Sequence, residues 1–485
     1  MTAEDEQCPF TSPAHSPGPF RAPGKDRAPV RAPAGGAALS RTAASRAPAL
    51  APRAGLWRTA AGAAGDHLKF LTGLCAHGDL VRVGAGPWQA YVICHPEPTL
   101  AVLMDDRTFE RGGPLFDQLR TFLGNGLLTC GHGEHRTQRR QVQPGFRRDR
   151  MPLYAGVMTE RIDAVLGTWR DGQRIDPREE MFAIAAGVAV SGLFGGALEE
   201  RAITDLRRAM EIILSVGFRR MLTPSALAGK LPTRGNARYD RAQARVREIV
   251  YGVIREHRAE SRRGDLLSIL LSAGEAEDVP ALTDAEVYDQ VLSLMAASFE
   301  TTAAVLAWSC HLLAAHPEAQ RRLHAEARAV LGGEPAGHGH LPRLRQARNV
   351  LLEALRLYPP AWVLTRVTTR DASVGGYRVP RGATVVLSPY VLHRRADLFP
   401  RPGDFLPDRW SDPAASTRPQ SGFLPFGSGA RQCIGNDFAL LEATLVLATV
   451  ADRWRLTAPA GTPMVRPVRN MSLMPAAGSL TLHSR

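Results

Sequence analysis

The chain has 485 residues, which is enough for two or three average domains or for one large enzyme core. Its formal net charge is +13, yet only Lys25, Lys69 and Lys230 are lysines, so arginine supplies almost all of the excess. This bias, beside abundant Ala, Gly and Pro, is typical of GC-rich coding sequence. With no basic helix carrying interleaved aromatic residues and no zinc-finger or helix-turn-helix pattern, we predict no nucleic acid partner. The six cysteines form no CxxC pair, which favours reduced thiols over a disulfide framework.

Residues 1–52 are rich in Pro, Ala and Arg, a composition that predicts a disordered leader before a single folded domain over residues 53–485. The prolines interrupt any apolar run that a secretory signal needs. An organelle transit peptide is the alternative, because no acidic residue lies between Arg27 and Arg58, but the prolines count against its amphipathic helix. The segment 291–315 comes nearest to a membrane span, but it contains Glu300 and His311 and is typical of a buried core helix. We therefore expect a soluble protein with no membrane contact.

The first predicted elements are a helix over Trp57–Ala76 and a hairpin whose strands cover Leu80–Val83 and Gln89–Cys94. A glycine-interrupted loop follows from residue 107 to residue 128. Its apolar side chains belong either to a satellite of the core or to the wall of a substrate pocket, and they are Leu115, Phe116 and Leu119.

The stretch 133–146 predicts a basic helix. His135 and Arg139 are four residues apart and so lie on one helix face, from which they could bind carboxylates. A metal cluster of Cys130, His132 and His135 is an alternative, but no fourth ligand lies nearby. A basic helix that is simply solvated is the plainer alternative for these residues taken alone.

A long helix is predicted from Asp284 to a stop before Pro317, since Thr283 and Glu286 match a capping box. Its apolar centre contains the pair Glu300-Thr301. A buried acid is costly unless it is partnered or functional. The structural alternative is that the Thr301 hydroxyl bonds back to the carbonyl of Ala297 and bends the helix.

Two further motifs lie near the C-terminus. Glu353 and Arg356 are three apart on a helix that ends before two prolines, and alone they would be a surface ion pair of little energetic value. In residues 426–435, Cys433 lies in a glycine-rich loop before an apolar helix, where loop amides and the helix N-terminus could stabilise a thiolate. Taken alone, this cysteine would more simply be a small buried residue in a turn.

The four motifs, in this order and at these spacings, resemble the cytochrome P-450 superfamily of haem-thiolate monooxygenases, and specifically its soluble actinobacterial members. The resemblance covers the chain from about Leu56 onward. It implies the P-450 fold, which is mainly α with a small β-rich region, and an oxygenase domain over residues 53–485. The main departure is Ser298, because the family usually has glycine at this position.

The resemblance also implies roles for individual residues. Cys433 would be the axial ligand of haem iron, and Glu300 and Thr301 would deliver protons to bound dioxygen. Further haem contacts would be His135, Arg139, Arg366 and Arg431 at the propionates, with Phe426, Gly427, Gly435 and Ala297 around the ring. Glu353, Arg356 and Arg409 would form a structural triad. The substrate pocket would include Leu115, Phe116, Phe299, Trp362, Val363, Leu364 and Met471.

We therefore expect a cytoplasmic, monomeric enzyme that inserts one oxygen atom of O2 into a C–H or C=C bond of a small apolar molecule. In its general character the sequence is similar to members of the family that modify terpenes in secondary metabolism. The expected cofactor is haem b, with electrons from NAD(P)H through a separate ferredoxin and ferredoxin reductase. A basic surface would dock the ferredoxin, at Arg136, Arg140, Arg147 and Arg148. The open alternatives are a fatty-acid hydroxylase, a peroxygenase and a non-enzymatic haem-thiolate sensor.

Overall fold

The structure is a computed structural model that describes residues 50–53, 66–84, 89–195, 198–222, 233–259, 264–275, 280–411 and 422–485. The predicted leader, up to residue 49, and the first half of the predicted helix Trp57–Ala76 lie outside these residues. Next to the predicted boundary at residue 52, Ala51 is buried and the N–H of Arg82 donates to the carbonyl of Pro52 (2.8 Å). The division into leader and domain stays a prediction.

Helices dominate the described residues, and we number them in chain order. They are α1 (His67–Leu74), α2 (Pro96–Met104), α3 (Pro114–Leu123), α4 (His132–Val142), α5 (Met151–Leu166), α6 (Pro177–Phe194), α7 (Glu200–Leu222), α8 (Arg234–Ala259), α9 (Leu266–Leu271), α10 (Asp284–Ala315), α11 (Pro317–Leu331), α12 (Arg345–Leu357), α13 (Pro389–Leu392) and α14 (Asn436–Arg453). The prediction of a mainly α fold is confirmed.

The strands are short and form a minor part of the fold. They are β1 (Leu80–Val83), β2 (Ala90–Ile93), β3 (Phe109–Glu110), β4 (Arg174–Ile175), β5 (Leu364–Thr368), β6 (Ala372–Val374), β7 (Tyr377–Val379), β8 (Thr384–Leu387), β9 (Trp454–Thr457), β10 (Pro467–Arg469), β11 (Leu473–Pro475) and β12 (Leu480–Ser484). The largest sheet has the order β1-β2-β8-β5-β3, and the other sheets are β4-β12-β9, β10-β11 and β6-β7. The predicted hairpin is confirmed, with Leu80 opposite Ile93 and Val83 opposite Ala90.

Helix α10 is the element around which the others pack. Thr283 caps it as predicted: its Oγ1 accepts from the N–H of Glu286 (3.3 Å), and the Glu286 carboxylate accepts from the N–H of Thr283 (2.8 Å). Among the described residues it is the one helix long and apolar enough to cross a membrane, but 83% of its apolar window is buried inside the protein. The prediction of a core helix is confirmed.

Two apolar cores meet along α10. Its C-terminal half packs with α5, α11, α12 and α14, contributing residues such as Leu306 and Cys310. Its N-terminal half packs with α3, α6, α7, α8 and α9, contributing residues such as Met295 and Phe299. The middle of α10, where these cores meet, faces the loop that precedes α14.

Candidate active site

The loop before α14 presents the thiol of Cys433. Gly427 and Gly429 have positive φ angles of 70° and 72°, which side chains rarely adopt. A Cβ on Gly429 would lie 2.3 Å from the carbonyl oxygen of Leu103, so the loop can pack against α2 only with glycine there. The N–H of Cys433 donates to the carbonyl of Phe426 (2.9 Å), and α14 begins at Asn436. These contacts fix the thiol at the N-terminal end of a buried helix.

The Cys433 side chain lies inside the protein, but it lines a cavity there, so a small molecule in the cavity could reach its sulfur. Burial raises the pKa of its thiol, although the Gly435 N–H and the charges of Arg139 and Arg111 act in the opposite direction. The protein alone therefore does not provide the thiolate that the loop was predicted to stabilise. A metal cation at the sulfur would reverse this balance, because coordination deprotonates a thiol.

The opposite wall of the cavity is the centre of α10. Ala297, Ser298 and Thr301 line it together with Cys433 and Gly435. Thr301 Oγ1 donates to the carbonyl of Ala297 (2.6 Å) and Ser298 Oγ to that of Leu294 (2.8 Å). The hydrogen bond from Thr301 back to Ala297, which was the structural alternative for this residue, is therefore present, and the hydroxyl still lies at the surface of the cavity.

Glu300 lies on α10 beside Thr301 but points into the protein. Its side chain is 7% exposed, it accepts a hydrogen bond from the backbone N–H of Ser472, and its Oε2 has no hydrogen-bonding partner. Burial raises its pKa to about 7, and the Ser472 hydrogen bond only partly offsets this. A carboxyl group that titrates near neutral pH can both release and take up a proton during a reaction.

Two buried arginines and a buried, uncharged histidine lie close together near the cysteine loop. Arg366, Arg431 and His135 are 2%, 7% and 4% exposed. Burial lowers the pKa of Arg366 to about 10 and that of His135 to about 3, with further lowering by the charge of Arg431. Arg431 donates from Nη1 to the carbonyl of Cys130 (3.0 Å), but its Nε and Nη2 have no partner. The charge of Asp106 offsets part of the lowering of these pKa values, but neither arginine forms an ion pair with a carboxylate in the part of the chain that the structure describes. Buried guanidinium groups with so little counter-charge are expensive, so this cluster fits an anionic ligand.

The sequence did not identify a further member of the cluster, Arg111. Burial lowers the pKa of Arg111 to about 9, and repulsion from Arg366 and Arg431 adds to the effect. Its only signal in the sequence is its place in a glycine-interrupted loop. Arg139, in contrast, donates from Nη1 to the carbonyls of Ala430 (3.2 Å) and Gln432 (2.8 Å), so it holds the cysteine loop and its carboxylate role stays a prediction.

The predicted triad is assembled behind the cysteine loop. Arg356 donates to both oxygens of Glu353 (2.8 and 2.9 Å), and Arg409 Nε donates to Glu353 Oε1 (3.0 Å). Trp410, which the sequence analysis missed, donates from its indole nitrogen to Glu353 Oε2 (2.9 Å). The remaining donors of Arg356 bond the backbone carbonyls of three loop residues, His393, Pro402 and Asp404. This buried ion pair therefore fixes the loops that precede the cysteine.

The predicted pocket residues fall into different environments. Phe299 has no exposed surface and packs edge-on against Phe182 (ring centroids 6.0 Å apart), which is a core position. Phe116 is buried, with the guanidinium of Arg111 5.7 Å from its ring centre. The others are partly exposed, and they are Leu115, Trp362, Val363, Leu364 and Met471. Their contact with a substrate stays a prediction.

The alternative metal cluster is not assembled. His132 pairs with Asp106 (3.1 Å), and Cys130 lies against Arg431, whose Nη1 is 3.6 Å from its sulfur. No group of three or more His, Cys, Asp or Glu side chains within the described ranges could hold a metal ion. A single thiol facing a cavity, together with buried arginines near the cysteine loop, instead fits a haem, whose iron needs one protein ligand and whose two carboxylates need cations.

Comparisons with known proteins agree with this arrangement. The family model described as cytochrome P-450 matches residues 66–482. Cyclooctatin synthase of Streptomyces melanosporofaciens is 42% identical over 417 residues, which are 86% of this chain and 90% of that protein. Cyclooctat-9-en-7-ol 5-monooxygenase of the same organism is 41% identical over 87% of this chain and 91% of its own length.

Pentalenene oxygenase of Streptomyces avermitilis is 41% identical over 80% of this chain and 87% of its own length. Among solved structures, the crystal structure of the cytochrome P-450DA haem domain superposes with a TM-score of 0.80 at 24% identity, covering 91% of this chain and 99% of that one. At this identity the likeness shows the fold alone.

Proposed function

Because the chain belongs to the cytochrome P-450 family and is therefore an oxygen-incorporating monooxygenase, we propose that its substrate is a cyclic terpene. The observation that carries this proposal is the set of relatives at 41–42% identity, which are named for the synthesis or oxidation of such compounds. Those relatives do not favour the alternatives of a fatty-acid hydroxylase, a peroxygenase or a haem sensor.

The cavity residues supply the haem site in this proposal. Cys433 would ligate the haem iron, while Arg366, Arg431 and His135 would bind the propionates. Ala297, Phe426, Gly427 and Gly435 would contact its ring, and Arg139 supports the cysteine loop. When bound, haem supplies the activation of dioxygen, which a thiolate ligand promotes by donating electron density.

The chain's own contribution to the reaction is a proton path on α10. Glu300, with a pKa raised to about 7, exchanges protons near neutral pH, and the Thr301 hydroxyl holds one at the cavity surface. The Ser298 hydroxyl already donates to the carbonyl of Leu294. This hydrogen bond has the same form as that of Thr301 to the carbonyl of Ala297, so it does not distinguish the two hydroxyls. We assign to Ser298 a narrowing of the groove, because its side chain lines the cavity where the family usually has glycine.

A ligand panel tests the substrate class. Cyclic terpene hydrocarbons and their alcohols should shift the haem spin state of the holoenzyme at micromolar concentration, and linear fatty acids of equal carbon number should not. Val363→Trp should abolish the shift by filling the predicted pocket, while Leu153→Trp, at a residue 68% exposed on α5, should leave it unchanged. A shift with fatty acids alone would overturn the proposed substrate class.

The family implies redox partners, and we assign this role to a ferredoxin reduced by NAD(P)H through its own reductase. A cleft of about 470 Å³ on the surface reaches Cys433 and is lined by Arg139, Arg147, Arg148 and Gln432. Arg136 and Arg140 are exposed on α4 beside it. An acidic ferredoxin would be attracted to this surface.

Ionic strength and charge reversal test the docking surface. Exposed charges are screened beyond about 8 Å at physiological salt, so reduction by ferredoxin should slow as salt rises. Arg147→Glu should slow it further without changing substrate binding, whereas Arg255→Glu on the exposed surface of α8 should not. A rate insensitive to both changes would remove this surface from the proposal. We also propose that the enzyme is a cytoplasmic monomer, which sedimentation and cell fractionation would test.

A further inference from the structure

Two cysteine side chains meet beside the first hairpin. Cys75 begins the short 3₁₀ helix Cys75–His77 that follows α1, and Cys94 directly follows β2. The N–H of Cys94 donates to the carbonyl of Asp79 (2.8 Å), which holds the end of β2 against the segment that leads into β1. The Cys94 thiol donates a hydrogen bond to the sulfur of Cys75, and both cysteines are free thiols in the structure.

The two thiols differ in exposure. Cys94 is 1% exposed and belongs to a small apolar cluster with Leu74, Val81 and Val92. Cys75 packs against the same cluster but is partly exposed. A small water-soluble reagent can therefore reach the sulfur of Cys75, whereas Cys94 is accessible mainly to its neighbour.

The surroundings favour a thiolate at Cys75 and a thiol at Cys94. The hydrogen bond from Cys94 lowers the pKa of Cys75, and the charge of Arg395 lowers it further, while burial and the charge of Asp79 act in the opposite direction. Arg395 is held beside the pair, because its Nη1 donates to the carbonyl of Cys94 (2.7 Å) and its Nη2 pairs with Asp397 (2.8 Å). The hydrogen bond to Cys75 raises the pKa of Cys94, and burial adds to this effect. The thiolate is the reactive form of cysteine, so Cys75 is the nucleophile of the pair.

We propose that Cys75 and Cys94 form a dithiol site that hydrogen peroxide oxidises to a disulfide. The Cys75 sulfur first attacks one oxygen of the peroxide, so that the O–O bond breaks, Cys75 becomes a sulfenic acid and one water leaves. The Cys94 sulfur then attacks the sulfur of Cys75, the S–O bond breaks and a second water leaves. In total the two thiols lose two electrons and two protons, and the peroxide is reduced to water. The new bond joins the end of α1 to the end of β2, and the proposal does not depend on the haem site.

Peptide mapping of the full-length holoenzyme tests the proposal. The protein is treated with a small molar excess of hydrogen peroxide, denatured, alkylated and digested with trypsin without reduction. Trypsin places Cys75 on residues 70–82 and Cys94 on residues 83–107. These peptides should appear joined, two hydrogen atoms lighter than their sum, and dithiothreitol should separate them. Cys310, fully buried and with a pKa that burial raises to about 12, is the internal control and should be alkylated in full.

Two variants separate the roles of the thiols. Cys94→Ser lacks the second thiol, so oxidation should stop at the sulfenic acid of Cys75, which dimedone traps, and wild type should give little of this adduct. Cys75→Ser should leave Cys94 reduced, because its thiol is buried. If Cys94→Ser does not fold, Cys94→Ala replaces it with the same expected result.

Three outcomes would overturn the inference. One is a wild-type protein in which both cysteines stay fully alkylatable after peroxide treatment. Another is a wild-type protein that accumulates the dimedone adduct of Cys75 without the linked peptides, which would mean that the two sulfurs cannot meet. The last is an equal yield of disulfides that include Cys310, which would mean that peroxide had unfolded the chain.

Discussion

The replacement Glu300→Gln should make the protein more stable at pH 8 and leave its stability unchanged near pH 4.5. Glutamine keeps the size and polarity of the neutral acid but cannot ionise. No charged group contributes to the shift in the Glu300 pKa, and the carboxylate accepts a hydrogen bond from the backbone N–H of Ser472. The wild-type carboxylate at pH 8 is therefore buried with little to offset its desolvation.

The size of the effect follows from the pKa. A rise from the usual 4.5 to about 7 corresponds to roughly 3 kcal/mol, at 1.36 kcal/mol per pH unit. The raised pKa means that the folded protein binds this proton more tightly than the unfolded chain does. The wild-type protein therefore has its full free energy of unfolding below pH 4.5 and loses this contribution as the pH rises towards 7. With an unfolding entropy of about 2.1 cal/mol/K per residue, a domain of roughly 400 residues should show a difference of about 3–4 °C.

The assay is the melting temperature of the holoenzyme by circular dichroism, at matched scan rates from pH 4.5 to pH 8. The difference between Glu300→Gln and wild type should grow through this window and then level off. Glu211→Gln, at an exposed position on α7, should show no pH-dependent difference. A Glu300→Gln protein that melts below wild type at pH 8, or at a constant offset throughout, would refute the reasoning.

Three other substitutions test the remaining parts of the site. Cys433→Ser should lack the thiolate spectrum and monooxygenase activity, while Cys75→Ser keeps both; activity in the first variant would remove the axial-ligand assignment. Thr301→Ala should consume reductant but release peroxide or water, with product formation falling roughly 10²–10⁴-fold, and Thr301→Ser should restore coupling. Trp410→Phe removes a donor to the buried carboxylate of the triad and should cost roughly 1.5–3 kcal/mol in unfolding free energy. Trp454→Phe is its control, because the Trp454 indole N–H has no partner to lose; equal costs for both would contradict this account.

The sequence allowed prediction where a local pattern determines the structure. The capping box at Thr283 predicted the start of α10, and the alternation in 80–94 predicted the first hairpin. Spaced motifs identified Cys433 and the triad, although what they identified was a resemblance, not a geometry. The position of Arg111 beside Arg366 and Arg431 could not be found in this way, because these neighbours are more than two hundred residues away in the chain.

Helix geometry alone bears on the prediction that Phe299 lines the substrate pocket, which stays untested. Ala297 and Phe299 are two residues apart, so their side chains point about 200° apart around α10 and cannot share a wall. Thr301, four residues after Ala297, does share its face, as the cavity lining shows. The Glu300–Ser472 contact was beyond such reasoning, since it depends on how the C-terminal hairpin packs against α10.

The strand order of the largest sheet constrains how the protein is made. Strand β2 is complete by residue 93, but its parallel neighbour β8 pairs Thr384 with Ala90. At about 5–20 residues per second, a ribosome needs roughly 15–60 s to cover this interval, during which one edge of β2 lacks its native partner. Strand β3 likewise lacks its partner until Thr368, which pairs with Phe109, has been synthesised. Cys433, the proposed ligand of the haem iron, is translated later still, so on this proposal capture of the cofactor is among the last steps of the protein's biogenesis.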